Sequence, residues 1–467
     1  MFEFNINDYK YEQIHFIGIG GISMSSLAEI LLSKGYKVSG TDSKDSAIVN
    51  RLEKLGAKIY IGHNKDNIQG SDLIIYTDAI SKDNEELNAA LNSGITITDR
   101  ARFLGAIMKN YTHSIAISGT HGKTSTTSIL ASITNHGTLD PTVLLGGQLD
   151  EIGGNVRLGS NEYIVTEACE YKANILKYYP TMAVISNIDE DHLDYFRDLN
   201  HILETFIGYA KNLTKDSTLV LNVDDENCMK LVPHTEAEVI TFGVIGNADY
   251  KAENINFHPD GSSTYILNIN GKELWPIKLK VTGLHNIYNS LAAIVAAHYH
   301  GVSMPLITKF IAAYAGVHRR LELKGYADGI KIIDDYAHHP TEIEVTLKAL
   351  RDSNKGDIYC IFQPHTFTRT KLLLDRFASS FNYAHKVIIA DIYAAREADN
   401  GEIHSKDLVD AIIKKGSDAI YLPTFESIEE YLLKEATAND VIVTMGAGNV
   451  YLIGESIIEN NMKKAAV

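Results

Sequence analysis

Cysteine is scarce in this chain. Only Cys169, Cys228 and Cys360 occur in 467 residues, far apart and with no C-x-x-C pair. That excludes a disulfide framework and points to a reducing compartment, the cytoplasm. Basic residues are outnumbered too, 43 Lys and Arg against 59 Asp and Glu, for a formal net charge of −16. Non-specific nucleic-acid binding needs a basic face, so it is not expected. Any anionic ligand must be held by local loops against the overall field. No window is apolar for long enough to span a bilayer. The opening residues MFEFNINDYKYEQ carry no basic region followed by an apolar stretch, so neither a signal peptide nor membrane insertion is expected. Internal repeats and low-complexity segments are absent as well.

What is present is ordinary globular composition, 45% hydrophobic and 22% charged. At roughly 100–200 residues per domain, the length suggests about three domains. IHFIGIG (14–20) reads as a strand running into glycines, MSSLAEILLSKG (24–35) as a helix, and YKVSGTD (36–42) as the next strand. LIIYTDAI (73–80) and ITIT (95–98) extend the series. A second strand–loop–helix starts at 114, with buried strands YIVTEA (163–168) and TMAVISNI (181–188) and a long helix over 282–301. A third series holds KIIDDYA (331–337), IYCIFQP (358–364), KVIIADIY (386–393) and DVIVTMGAG (440–448). Such alternation of strand and helix predicts an α/β fold of three consecutive domains with mainly parallel sheets, over 1–110, 111–320 and 321–467.

The chemistry concentrates at strand ends. Gly18, Gly20 and Gly21, with Ile22 and Ser23, follow a strand and open a helix, and Asp42 ends the next strand. The pattern resembles a dinucleotide fingerprint with its third glycine replaced by serine. It suits a nucleotide or nucleotide-sugar phosphate at a helix N-terminus. Alone it does not separate NAD from UDP, or either from a tight turn without a ligand. The stretch IAISGTHGKTSTTSIL (115–130) resembles a P-loop, but Ile117 stands where the first glycine belongs. The loop is the short form Gly119-Thr120-His121-Gly122-Lys123-Thr124, followed by Ser125. Backbone N–H groups there can wrap phosphate, Lys123 can reach terminal phosphates, and Thr124 can hold Mg²⁺.

Acids and histidines follow two further strands: Glu167 and Glu170 in TEACEYK, and Asn187, Asp189, Asp191, His192 and Asp194 in SNIDEDHLD. HNIYN offers His285, Asn286 and Asn289 to an adenine edge, with helix capping as the alternative for the asparagines. GVHRR carries Arg320 at the expected second boundary. DDYAHHPTE (334–342) packs Asp335, Tyr336, His338 and His339 into a strand-to-helix turn, with Pro340 suited to the first helical turn. Adjacent histidines point apart, so a substrate-handling loop fits better than zinc. FQPHTFTRT adds His365 and Arg369, a fork for carboxylate or phosphate.

Taken together and in order, GIGG, GTHGKT, ACEY, DHLD, HN-x-x-N, DDYAHHPTE, QPH-x-x-x-RT and a late GAG closely resemble the Mur ligase family over almost the whole chain. Within it they look like the members that join L-alanine to UDP-N-acetylmuramate. The family's ATP loop is the short G-x-x-G-K-T form, which accounts for the spacing. The resemblance implies a Rossmann-like first domain, a central P-loop ATPase-like domain and a Rossmann-like third domain. It implies ATP and Mg²⁺ (or Mn²⁺) as cofactors, UDP-N-acetylmuramate and L-alanine as substrates, and a monomer or weak homodimer. UDP-sugar would meet Gly18, Gly20, Gly21, Ile22, Ser23, Asp42 and His63. ATP would meet residues 119–125, His285, Asn286, Asn289, Arg320 and Asp335. Metal would be held by Thr124, Glu170 and His192, and the amino acid by Tyr336, His338, His365 and Arg369. Lys123, Glu170, His192 and His338 would be catalytic. Two departures stand out: Cys169 and Lys172 stand near Glu170 where many members have acids, and Thr366 replaces an arginine. The alternatives are a ligase attaching a tripeptide to the same sugar, a nucleotide-sugar sensor, and an NAD-dependent oxidoreductase that leaves the GKT loop unexplained.

Overall fold

The computed structural model describes residues 2–136, 139–395 and 397–465. By internal contacts the chain divides into two units. The first combines Met1–Ile188, Ile202–Asn247 and Ala292–Ile307; the second combines Asp189–His201, Ala248–Leu291 and Thr308–Val467.

The first unit begins with β1 (Gln13–Ile17), β2 (Lys37–Asp42), β3 (Lys58–Ile61), β4 (Leu73–Tyr76) and β5 (Thr96–Asp99). They form a parallel five-stranded sheet in the order β3-β2-β1-β4-β5. The order reverses between β1 and β4, and the glycine loop Gly18–Gly21 leaves β1 at that crevice. Ligands of open α/β sheets bind at such a point, beyond the carboxyl ends of the strands. The same unit holds β6 (His113–Ser118), β7 (Thr142–Leu149), β8 (Gly154–Arg157), β9 (Tyr163–Glu167), β10 (Met182–Ile185), β11 (Thr218–Asn222) and β12 (Glu238–Gly243). Their order is β12-β11-β10-β6-β9-β7-β8, parallel apart from the β7–β8 hairpin. The central strands are unbroken apolar runs because both faces are covered.

Polar contacts join these two sheets. Asn155 in β8 donates to Ser26 Oγ at 2.8 Å on the helix Ile22–Ser33. Lys177 Nζ reaches Asp99 Oδ1 at 2.9 Å, and Asn174 donates to Asp78 at 2.8 Å. The helix Arg100–Met108 lies so close to this turn that a Cβ on Gly105 would sit 2.1 Å from the Lys177 carbonyl oxygen.

The second unit contains an antiparallel meander, β13 (Tyr250–Phe257), β14 (Ser263–Ile269) and β15 (Glu273–Leu279). The sequence reading passed over it, although its signals are plain. Buried and half-buried residues alternate along β14, and Asn270-Gly271 closes the β14–β15 turn with φ of 53° and 68°. β16 (Glu322–Ala327), β17 (Ile330–Asp335), β18 (Ile358–Phe362), β19 (Lys386–Ile389), β20 (Ala419–Tyr421) and β21 (Val441–Met445) form a six-stranded sheet. Its order is β16-β17-β21-β18-β19-β20, antiparallel only at the β16 edge. Apolar clusters around Phe362, Phe377 and Phe381 and around Ile332, Ile361 and Ile442 line this sheet. Among the described residues, no helix is long and apolar enough to cross a membrane.

Replacing Gly105 tests the packing against the 171–177 turn. Gly105→Ala is expected to cost about 1–3 kcal/mol, because the carbonyl it strikes is backbone. Urea unfolding followed by circular dichroism reads this as a lowered midpoint; an unchanged midpoint would mean the turn shifts freely.

Candidate active site

The phosphate loop is built by close approach. Gly119 has φ +121°, and a Cβ there would fall 2.3 Å from Ser186 Oγ. The loop is braced by the residues after β10. Thr120 N donates to the Asn187 carbonyl at 3.0 Å, His121 N to Asn187 Oδ1 at 2.8 Å, and Ser186 Oγ to the His121 carbonyl at 2.7 Å. Gly122, at φ +83°, then starts the helix Lys123–Asn135, with Thr124 and Ser125 in its first turn. The sequence order of strand, loop and helix is therefore realised.

Lys123 is the electrostatic centre of the loop. Its Nζ donates to the carbonyls of Gly119 and Thr120 at 2.6 and 2.9 Å and pairs with Glu170 Oε2 at 3.0 Å. Burial would lower the amine's pKa, but Glu170, assisted by Cys169 and Glu167, more than offsets this, so the ammonium stays charged. Cys169 is pushed up to about 11 by burial and by Glu170, so it is an inert thiol. Thr124 Oγ1 donates to Glu167 Oε2 at 3.2 Å, and Glu167 Oε1 accepts from Gly146 N at 2.6 Å. Glu167 thus stands beside the expected metal-binding hydroxyl, a carboxylate the sequence reading noted without assigning it to the metal.

The glycine loop after β1 is closed by Asp42, whose Oδ2 accepts from Gly20 N at 2.9 Å. A Cβ on Gly20 would meet that oxygen at 2.8 Å, so the position needs glycine. Gly21 N donates to the Gly18 carbonyl at 3.3 Å. Ile22 is the first helical residue, and Ser23 accepts from the Arg100 guanidinium at 3.1 Å. His63 follows β3, and its Nδ1 lies 2.6 Å from Glu86 Oε2. Neither Arg100 nor Glu86 is visible as a partner in the sequence, since each belongs to a distant helix.

In the second unit the segment after Ile188 is tied to the six-stranded sheet's loops. Asp189 accepts from Thr341 Oγ1 at 2.7 Å and from Arg376 at 3.2 Å. His339, fully buried, bonds the Glu190 carbonyl through Nε2 at 2.7 Å and caps the helix Pro340–Ser353. Asp191 is 7% exposed and faces Arg369 Nη2 at 3.1 Å. Burial would raise its pKa, yet His192, Arg369, His339 and His338 hold the carboxyl far below the usual range. His192 adopts φ +54°, and its Nε2 lies 3.7 Å from Asp191 Oδ2.

The DDYAHHPTE turn separates its two histidines, as expected. His338 Nδ1 lies 3.0 Å from the Tyr336 carbonyl oxygen, a bond only an N–H can make, so Nε2 keeps its lone pair. Burial lowers its pKa to about 3, so the ring is neutral near pH 7. Tyr336 is flanked by the guanidinium carbons of Arg319 and Arg320, 4.8 and 5.1 Å from its ring centroid. His365 stacks on Tyr393 at 5.8 Å and meets the His338 edge at 5.9 Å. Arg369 Nη1 is 3.4 Å from His365 Nδ1. Thr366 takes φ +67° and caps the short helix that carries Arg369. The structure thus brings Tyr336, His338, His365 and Arg369 together, with Asp191 already on the arginine.

The remaining expected ATP contacts carry internal bonds. Asn286 donates to the Thr282 carbonyl at 2.8 Å and Asn289 to Asn286 Oδ1 at 3.2 Å, within the first turns of the helix Leu284–Tyr299. His285 is lowered to about 4, chiefly by burial. Asp335 accepts from Leu321 N and Ala337 N at 2.8 and 2.7 Å, and burial raises it to about 6. Arg320 lies 4.0 Å from Glu342.

Comparison with known proteins gives the family. Three family models match in sequence order: "Mur ligase family, catalytic domain" over 13–112, "Mur ligase middle domain" over 117–297, and "Mur ligase, glutamate ligase domain" over 319–448. The UDP-N-acetylmuramate–L-alanine ligase of Acetivibrio thermocellus is 50% identical over 457 residues, covering 98% of this chain and 97% of that one. The chain belongs to the Mur ligase family. The crystal structure of the UDP-N-acetylmuramate–alanine ligase of Thermotoga maritima superposes with a TM-score of 0.81 at 29% identity, covering 97% of this chain and 99% of that one. A murein peptide ligase of Psychrobacter arcticus superposes with a TM-score of 0.72 at 26% identity, covering 96% and 98%. This Mur ligase has the family's three-domain α/β architecture and its ATP dependence.

Lys123→Ala is expected to lower ATP turnover by roughly 10²–10³-fold or more, as loss of a charge at a transferring phosphoryl group does. Because Glu170 is 2% exposed, the variant also leaves a buried carboxylate without its ammonium, at about 3–5 kcal/mol. ADP release measured well below the variant's melting temperature separates the two effects. Near-normal turnover would remove Lys123 from the chemistry.

Proposed function

We propose that this Mur ligase joins L-alanine to the carboxylate of UDP-N-acetylmuramate in peptidoglycan precursor synthesis, using ATP and working in the cytoplasm. The observation that carries this reading is the 50% identity, over nearly the whole chain, to a relative named for that reaction. A carboxylate does not react with an amine unaided, because its oxygen is a poor leaving group. The muramate carboxylate attacks the γ-phosphorus of ATP, giving an acyl phosphate and ADP. The amine of L-alanine attacks the acyl carbon, and the tetrahedral intermediate expels phosphate as the amide forms. Positioning and charge neutralisation are the protein's main contributions.

Lys123 is the group that would neutralise the transferring phosphoryl charge, since its ammonium stays charged at the mouth of the loop. His338, neutral with Nε2 unprotonated, is the candidate acceptor for the proton the amine loses. Tyr336, His365 and Arg369 would hold the amino acid beside it. Residues 119–125 would cradle the nucleotide, with His285, Asn286, Asn289, Arg320 and Asp335 contributing its remaining contacts, and residues 18–23 with Asp42 and His63 the UDP-sugar.

The residues fit Mg²⁺ (or Mn²⁺). The hydroxyl of Thr124 and the carboxylates of Glu167 and Glu170 offer hard oxygens, and Thr124 and Glu167 already converge at 3.2 Å. Thr124, Glu170 and His192 would hold the ions, with Glu167 beside Thr124. When bound, such ions neutralise charge on the phosphates.

Phosphate release with UDP-N-acetylmuramate, ATP and each amino acid in turn tests the reading. L-Alanine is expected to be best, glycine weak and D-alanine inactive. One methyl in a pocket discriminates by only about 1–3 kcal/mol, so glycine is not dead. Turnover with a tripeptide and none with L-alanine would overturn it.

Arg369→Ala is expected to raise the apparent KM for L-alanine far more than that for ATP or the UDP-sugar. Arginine at Thr366 is absent, so Arg369 carries the carboxylate subsite. Steady-state kinetics on all three substrates checks this; a defect confined to ATP would place the alanine carboxylate elsewhere.

A further inference from the structure

A buried carboxylate packed against the first sheet has no part in the roles above. Glu86, on the helix Glu85–Asn92, is fully buried, as is His15 on β1. Three groups converge on it. His15 Nε2 lies 3.0 Å from Oε1, while His63 Nδ1 and Thr41 Oγ1 lie 2.6 and 2.7 Å from Oε2. The chain of bonds continues to Ser39 Oγ, 2.8 Å from His15 Nδ1. Burial would raise the Glu86 pKa, but donation from His15, His63 and Thr41 outweighs it and holds the carboxyl below its ordinary value.

An ionised carboxylate only accepts, so each imidazole nitrogen facing it carries hydrogen. In the neutral ring of His63 this selects the Nδ1–H form and leaves Nε2 with a lone pair. Nε2 has no hydrogen-bond partner among the described residues. The ring's position gives this meaning. Gly62 N donates to the Asp42 carbonyl at 2.8 Å, and Asp42 Oδ2 in turn closes the glycine loop through Gly20 N. His63, Asp42 and Gly18–Gly21 therefore share the carboxyl edge of β3, β2 and β1.

We propose that Glu86 is a positioning residue for the nucleotide-sugar site: from the core it fixes the orientation and tautomer of His63, so that Nε2 is presented as an acceptor to an N–H or O–H donor of the nucleoside half. This rests on the UDP-sugar reading of the first domain. The single buried carboxylate organises three strands at once, since His15, Thr41 and His63 come from β1, from β2 and from just beyond β3. Removing its charge disorients the ring without touching the glycine loop.

The test uses the full chain. Calorimetric titration with UDP-N-acetylmuramate and, separately, ATP compares wild type with Glu86→Gln. The glutamine amide puts a donor where two donors converge, so the UDP-sugar is expected to bind about tenfold more weakly, the scale of one well-made hydrogen bond. ATP affinity is expected to hold, and kinetics to show a raised KM for the UDP-sugar with kcat retained. In ¹⁵N-histidine spectra of the wild type, His63 is expected as the Nδ1–H tautomer, with Nε2 shifting on addition of UDP-N-acetylmuramate. Equal UDP-sugar affinity in the variant, or a wild-type His63 that carries its hydrogen on Nε2 or ignores the ligand, overturns the assignment. The wild-type spectra decide the matter even where the variant does not fold. Failure of wild type to bind UDP-N-acetylmuramate at all overturns the functional reading itself, and the assignment with it.

Discussion

The Lys123–Glu170 ion pair is the contact on which the catalytic loop depends. An ammonium taken out of water is costly unless an opposite charge and hydrogen-bond acceptors replace its hydration. Here the loop's own carbonyls at Gly119 and Thr120 turn toward Nζ, and Glu170, 2% exposed, supplies the charge. The loop conformation and the acidic turn after β9 therefore require each other. Gly119 passes against Ser186 where no side chain fits. The bracing by Asn187 leaves the backbone arranged before any phosphate arrives, so little reorganisation is needed on binding.

The second unit solves a related problem with the opposite emphasis. In a chain of net charge −16, cations are gathered locally. Arg319 bonds Asp334 at 3.1 Å and the Gly446 carbonyl at 2.7 Å, Arg369 bonds Asp191, and Arg376 bonds Asp189. Arg369 and Arg376 sit on the short helices Phe367–Leu372 and Leu374–Ala378 after β18, and Arg319 lies just before β16, whose first residue pairs with the end of β17. The local field there is set by paired charges, with His338 kept neutral among them by burial. A neutral imidazole next to a guanidinium is an arrangement suited to receiving a zwitterion's two ends.

Much of this was legible in the sequence because it is local. The parallel strands are apolar runs, the helices begin at Gly21, Gly122 and His339, and Pro340 takes the first helical turn as its fixed φ requires. The meander over 250–279 escaped because its strands alternate with polar residues and carry no chemical motif, although Asn270-Gly271 marks a hairpin. Among site residues, Glu86, Arg100 and Arg376 were missed for a different reason. Nothing in their neighbourhood distinguishes them from ordinary helix or loop charges.

The sequence by itself determined the family, the order of the three α/β units, and which residue types crowd each strand end, because motif spacing is a property of contiguous chain. Only the tertiary structure decided which charge faces which. Asp191 on Arg369, Glu167 beside Thr124, and Glu86 between His15 and His63 each join residues many positions apart. Such pairings depend on strand order and on which helix face turns inward. Burial depends on them as well, and burial sets whether a histidine such as His338 is a cation or a base.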